Sequence, residues 1–250
     1  MITVCFDALG SLFSLEPLID VVEQVLGDEL RSAGSGSRAV VMDWFHSAQR
    51  DYTYLSIISP PPPPISKILT LSLPRALAFA FGTRPTPSHL PLPDLSPITD
   101  RLAALTPSPG ASDCLNILKN AGATVLVVTN GSEQATRGYI DNAGFQHKID
   151  GVLSCDTVGV SKPFDQVYTA AHDLCAKQGK GKGERWFVAA HLWDLAAAKK
   201  AGFKTGYVLA EQPPLGEGQI DEWWSIWGGK PDIVGQDLAL VAHAISHEQS

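Results

Sequence analysis

The chain has 250 residues, 44% hydrophobic and 18% charged, enough apolar content to bury a sizeable core, which excludes a disordered segment. A formal net charge of −7 excludes nucleic acid or an anionic membrane surface as the main partner, because both are held by basic patches. No apolar run reaches the roughly 18 residues of a membrane span, and no basic leader with a small-residue cleavage site precedes the first strand, so a cytoplasmic location is expected. The four cysteines, Cys5, Cys114, Cys155 and Cys175, form no C-x-x-C pair and read as reduced, buried thiols.

Thr3–Phe6 is a short apolar strand, followed by a turn over Asp7–Phe13 with Gly10 inside it. Leu18–Leu30 has helical periodicity, and Val40–Ile58 is a second helix, with Trp44, Ala48, Asp51 and Leu55 near one stripe. Pro60–Pro64 stops it. Lys67–Phe81 is a third helical run, interrupted at Pro74, and Thr83–Pro97 reads as a connection. Thr124–Thr129 is a β-branched strand, and a helix follows over Glu133–Ala143, closing at Gly144. Gly151–Ser154 is a strand, Phe164–Ala176 a helix, Trp186–Ala190 a strand, Asp194–Ala201 a helix and Thr205–Leu209 a strand. The basic run Lys177–Lys182 reads as a solvated loop, and Trp223, Trp224 and Trp227 fall in a late loop rich in glycine.

Strand and helix alternate from residue 110 onward, which predicts an α/β fold with a Rossmann-like parallel sheet and helices on both faces. The mainly helical stretch predicts an inserted cap. The expected division is a core of 1–16 and 101–250 and a helical cap of 17–100. Active sites in such sheets lie beyond the carboxyl ends of the strands. Asp7, Thr129, Lys162 and the segment His191–Asp194 all fall at or after such ends, or open the segment that follows.

Each residue has its own chemistry. Asp7, in D-x-x-G-S-L-F, is a carboxylate in a tight turn whose backbone N–H groups can keep it ionised, and an activated carboxylate is a usable nucleophile. Lys162, in Val-Ser-Lys-Pro, supplies an ammonium that can hold Asp7 as an anion. Asp194, at a helix start, reads by itself as an N-cap. Phe13, Trp44, Phe45, Tyr52, Tyr54 and Trp193 read as core aromatics sooner than as a pocket lining.

Taken in order, Asp7 in D-x-x-G-S, Thr129 in Val-Val-Thr-Asn-Gly-Ser, Lys162 in Val-Ser-Lys-Pro and Asp194 in W-D-L-A-A-A-K-K-A-G-F resemble the haloacid dehalogenase superfamily. Trp193–Gly202, Lys162–Tyr168 and the segment from Pro231 resemble its type II branch, the (S)-2-haloacid dehalogenases. The resemblance implies catalytic roles for Asp7, Lys162, Asp194 and His191. On the substrate side it places Ser11, His46, Arg50, Thr129, Asn130 and Tyr168. It further implies that Asp7 displaces a leaving group from carbon to give an aspartyl ester, which water then hydrolyses. Leu9 stands where the superfamily's phosphatases carry a second Asp, and only Asp194 is acidic in the fourth motif, so neither a metal nor any other cofactor is implied.

Three positions depart from the dehalogenase pattern. His46 stands where an Arg grips the leaving halide, His191 where an Asn stands, and Ala189 where a Ser stands. Either Arg50, four residues along the same helical face, supplies the missing cation, or His46 and His191 do acid–base work on a leaving group other than halide. The reading is a hydrolase acting on a small organic acid or related metabolite. A lyase or dehydratase using the same pocket and a non-catalytic ligand-binding relative are the alternatives. The partners expected are a small-molecule substrate and, at most, a second copy of the chain as a homodimer.

Overall fold

A computed structural model describes residues 2–82, 92–179, 183–209, 216 and 219–248. Strands β1 (Ile2–Phe6), β4 (Thr124–Thr129), β5 (Gly151–Ser154), β6 (Glu184–Ala189), β7 (Lys204–Val208) and β8 (Ile233–Gly235) form one parallel sheet in the order β5-β4-β1-β6-β7-β8. The reason lies in their composition. β1 is buried at all five positions and β4 at five of six, the near-continuous apolar run of a strand covered on both faces. Alternate residues go to opposite faces. Cys5, Leu126, Val128, Phe187 and Ala189 pack under helices α8 (Asp165–Gln178) and α9 (Leu192–Lys200). On the other side α5 (Ala111–Asn120) and α11 (Leu238–His247) pack on each other and on β4, β7 and β8. The chain runs from β1 through β4 to β5 on one flank, then returns to β6 beside β1 and continues to β8. The sheet therefore reverses its winding next to β1.

The chain divides into two units, one of Met1–Ser14 with Thr106–Ser250 and one of Leu15–Leu105. In the first, β2 (Phe13–Ser14) pairs antiparallel with β3 (Thr106–Pro107), so the points where the chain leaves and re-enters the sheet unit are clamped together. The second is helical: α1 (Glu16–Ser32), α2 (Ser37–Ile58), α3 (Ile65–Ala80) and α4 (Ser96–Arg101). The α2–α3 contact buries Trp44, whose Nε1 donates to Leu69 O at 3.0 Å. The buried stripe of α2 runs through Val41, Trp44, Phe45, Ala48, Tyr52 and Ser56; Asp51 and Leu55 stand only half-buried beside it.

Three expectations are corrected. Pro74 does not interrupt its helix: α3 is continuous, and both Pro74 and Thr70, whose carbonyl loses its partner there, face solvent. Ser96 and Pro97, read as part of the connection, open α4, with the proline in the first turn where its missing N–H costs nothing; residues 83–91 of that connection lie outside the described ones. The late tryptophans are not in a loop, because α10 (Gln219–Ile226) carries Trp223 and the buried Trp224, and Trp227 follows it. Of the basic run, Lys177 belongs to α8, and 180–182 lie outside the described residues. No described helix is long and apolar enough to cross a membrane. All four cysteines are free and buried.

Candidate active site

The turn after β1 sets the first residue. The N–H groups of Gly10, Ser11, Leu12 and Phe13 all return to carbonyls within Asp7–Phe13, and Gly10 takes φ +78°, which a side chain would strain. Those amides are spent on shaping the turn. The expectation that backbone N–H groups keep Asp7 ionised is therefore corrected: the bonds that hold its carboxylate come from side chains. Ser11 Oγ donates to Asp7 Oδ2 at 2.7 Å and accepts from the Ala190 N–H at 3.0 Å. This ties the turn after β1 to the end of β6. Lys162 Nζ donates to Asp7 Oδ1 at 2.8 Å, and His191 Nδ1 lies 3.6 Å from Asp7 Oδ2.

Lys162 is fully buried and sits between two carboxylates, also donating to Asp194 Oδ2 at 2.8 Å. Its ammonium lies 5.1 Å from the centre of the Phe187 ring. Asn130 positions it, because Asn130 Oδ1 accepts the Lys162 backbone N–H at 2.9 Å. Thr129 Oγ1 accepts the Gly131 N–H at 2.9 Å, and a Cβ on Gly131 would stand 3.2 Å from that oxygen. The hydroxyl of Thr129 thus fixes the loop carrying Asn130. Ser154, at the end of β5, donates to Gly131 O at 2.7 Å and closes the same loop from the other side.

Two assignments change. Asp194 is not an N-cap: His191 caps α9, and Asp194 lies in its first turn, fully buried, with its oxygens taken by Lys162 and by the Tyr168 hydroxyl at 2.6 Å. Tyr168 is likewise fully buried, and with its hydroxyl given to Asp194 it acts as a positioning residue behind the carboxylates instead of touching substrate. Ser11, Thr129, Asn130, Lys162, Tyr168, His191 and Asp194 all gather within one network around Asp7. His46 and Arg50 belong to the helical unit, both exposed on α2, with Arg50 Nε 3.7 Å from Asp51. Ser154 and Phe187 carry no motif and escape sequence reasoning; only their places at the end and in the middle of a strand point to them.

The electrostatics separate the two carboxylates. Burial alone would raise Asp7, but Lys162 and His191 outweigh it and hold its carboxyl well below the usual carboxylate range. Burial raises Asp194, Lys162 only partly opposes this, and the charge on Asp7 adds to it. A shared proton therefore goes to Asp194 first and leaves Asp7 as the anion available for attack. Burial would lower Lys162, yet Asp194 and Asp7 together raise it above its ordinary value. The pH dependence follows from these directions. Asp7 stays ionised below the usual carboxylate pKa and Lys162 stays protonated above the usual lysine pKa. The kcat/KM profile is expected to show no limb from Asp7 near pH ~4 and none from Lys162 below pH ~10. A limb at either place that vanishes in the corresponding variant would contradict this.

A divalent cation does not fit here. The position between Asp7 and Asp194 is filled by an ammonium, both Asp194 oxygens are engaged, and no group of three or more His, Cys, Asp or Glu among the described residues is arranged to hold a metal. EDTA is expected to leave turnover unchanged; activity restored specifically by Mg²⁺ after chelation would contradict that.

Residues 91–202 match the family model for haloacid dehalogenase-like hydrolases. The chain is 26% identical over 226 residues to an (S)-2-haloacid dehalogenase of Pseudomonas sp. (strain YL), covering 88% of each chain. It is 29% identical over 206 residues to (S)-2-haloacid dehalogenase 4A of Burkholderia cepacia, covering 80% of this chain and 79% of the other. Among solved structures it shares its fold with the L-2-haloacid dehalogenase from Xanthobacter autotrophicus with chloropropionic acid covalently bound, at a TM-score of 0.72 and 22% identity over 98% of both chains. In sequence and in fold the chain is similar to the haloacid dehalogenase-like hydrolases. Within that family its likeness runs to the (S)-2-haloacid dehalogenases, which favours hydrolysis over the lyase and non-catalytic readings.

Proposed function

We propose that the chain hydrolyses a bond between carbon and a leaving group in a small 2-substituted organic acid, without a metal, through an ester on Asp7. The observation that carries this is the anionic carboxylate of Asp7, held by Lys162 and Ser11 at the end of β1 with an imidazole beside it. One carboxylate oxygen attacks the substituted carbon, and the leaving group departs with the bonding electrons. Lys162 holds the charge of the attacking anion and then of the oxyanion formed when water adds to the ester carbonyl. His191, at 3.6 Å, stands within reach of a water bound against that carboxyl, and takes its proton. Collapse of the tetrahedral species breaks the new ester bond, releases a 2-hydroxy acid and restores Asp7. The four free, buried cysteines support a reducing, cytoplasmic setting for this chemistry.

With His46 and His191 in place of the Arg and Asn that the resemblance calls for, halide departure has little cationic help. Chloride release from (S)-2-chloropropionate is expected to be weak, and bromide release from the bromo analogue faster by about tenfold or more, as for a step limited by the leaving group. The test is rapid quenching with (S)-2-bromopropionate followed by peptide mass spectrometry. An ester is expected on the peptide containing Asp7, accumulating further in His191→Ala because water attack slows. The imidazole of His191 makes no cap bond to α9, so this change should leave the helix in place. Turnover with no adduct on Asp7 in either form would overturn the reading.

A further inference from the structure

Cys5 on β1 and Cys175 on α8 lie 170 residues apart, yet their sulfurs stand 3.5 Å from one another in the core under the parallel sheet. Neither takes part in the reaction described above. Both elements lead directly to the site. Cys5 is two residues before Asp7, and Cys175 lies seven residues, two helical turns, after Tyr168 on the same buried side of α8. Arg185 on β6 lies in the surroundings of both sulfurs. It donates to His172 Nδ1 at 2.8 Å, and His172 Nε2 in turn meets Ala201 O at 2.9 Å. At this distance either thiol can donate to the other, so one sulfur can carry a charge while its partner keeps the proton, and Arg185 favours that charge. The pair can therefore supply one thiolate, and Cys175, within one turn of the end of α8, is the sulfur that a small oxidant reaches first.

We propose that Cys5 and Cys175 form a reversible disulfide under peroxide and that its closure slows the hydrolase by displacing Tyr168. The Cys175 thiolate attacks one oxygen of hydrogen peroxide, giving the sulfenic acid and hydroxide. The Cys5 thiol then attacks the sulfenic sulfur to close the S–S bond; its proton leaves with the departing hydroxyl as one water, and the proton that Cys175 gave up on ionising joins the hydroxide of the first step as the second. Two electrons pass from the two thiols to the peroxide, and a dithiol returns them. Cys175 lies within one turn of the end of α8 at Gln178, where helix ends open most readily and admit a small oxidant. Bond formation brings the sulfurs from 3.5 Å to about 2.05 Å. β1 is bonded on both edges, to β4 and β6, so α8 must give way. That movement strains the 2.6 Å bond from Tyr168 to Asp194, and through Asp194 the seat of Lys162.

The experiment treats the full chain with millimolar hydrogen peroxide, blocks remaining thiols after denaturation, and maps peptides without reduction. A Cys5–Cys175 linked pair is expected, with Cys114 and Cys155 alkylated. Hydrogen exchange along α8, read without any substrate, should differ between the oxidised and reduced forms. Turnover should fall about tenfold and return with dithiothreitol. Cys175→Ala, or Cys175→Ser if the alanine variant folds poorly, should keep basal turnover and lose the response to peroxide. Absence of the linked pair, an unchanged exchange pattern once it forms, or equal peroxide sensitivity in the variants would each overturn the proposal. The link and the exchange pattern are read independently of turnover, so their failure is distinguishable from failure of the hydrolase reading.

Discussion

Asp7→Asn is expected to lower turnover by about four powers of ten or more while the protein keeps its fold, because the attacking group is lost and the side-chain shape is not. The amide keeps one oxygen to accept from Lys162 and turns its NH2 toward Ser11 Oγ, which can accept it while still accepting the Ala190 N–H, so the turn after β1 keeps its anchor to β6. Removing the charge also relieves the burial cost that Lys162 and His191 now offset. Because those partners more than offset the burial cost, the variant should nevertheless be less stable than the native protein at neutral pH. Below the unfolded-state pKa of about 4, where the native protein loses the stability gained by holding Asp7 ionised, the variant should lose less. Far-ultraviolet dichroism and a melting curve at two pH values, set beside the turnover number, check both halves. Activity above about a tenth of the native value would contradict the nucleophile assignment.

Lys162→Met should be the most damaging single change in stability. It leaves Asp7 and Asp194, both buried, facing one another without the cation that now bridges them at 2.8 Å each. Stranding buried charge in this way costs about 3–5 kcal/mol. The raised pKa of Lys162 gives the sign of the pH dependence. The native protein holds this stability fully below the unfolded lysine pKa of about 10.4 and loses it as pH rises through the higher folded value. The variant should lack it throughout and be least impaired in acid, where Asp194 takes up a proton first. Urea denaturation between pH 5 and 9 measures this. A variant that melts like the native protein would show that the two carboxylates are not jointly dependent on Lys162. Adding Asp194→Asn to Lys162→Met should recover part of the loss, since one of the two stranded charges is gone.

The sheet was largely legible from composition because β1, β4 and β6 are covered on both faces and so read as unbroken apolar runs. Helix boundaries near proline and glycine were less so. Pro74 breaks a helix only where the freed carbonyl is denied water, and here it is not. α10 was hidden by its glycine-rich flank and shows only through the burial of Trp224. Within the site, the order of Asp7, Lys162 and Asp194 along the chain announced a shared chemistry, but nothing in their spacing gives their geometry. Lys162 is 155 residues from Asp7 and 32 from Asp194, and what joins them is the return of the chain to β6 beside β1. The place of Tyr168 was illegible for the same reason. Its hydroxyl reaches Asp194 only because α8 and α9 pack side by side under the sheet. The contact of Cys5 with Cys175 likewise cannot be read from four widely spaced cysteines, which suggest isolation where the fold makes a pair.

Two further questions attach to the helical unit, where His46 and Arg50 stand exposed on α2. Only kinetics can divide their roles: loss of Arg50 should weaken turnover of every halide alike if it serves the leaving group, whereas loss of His46 should spare good leaving groups if it supplies a proton.

Whether Asp7 is esterified and then hydrolysed at its own carboxyl carbon is decided by a single turnover in H₂¹⁸O with enzyme in excess over (S)-2-bromopropionate. The label is expected to enter the peptide containing Asp7, while the first product molecules carry unlabelled oxygen taken from the enzyme. Label found in the product after one turnover, with none in Asp7, would mean that water attacks the substrate directly and that no ester forms on Asp7.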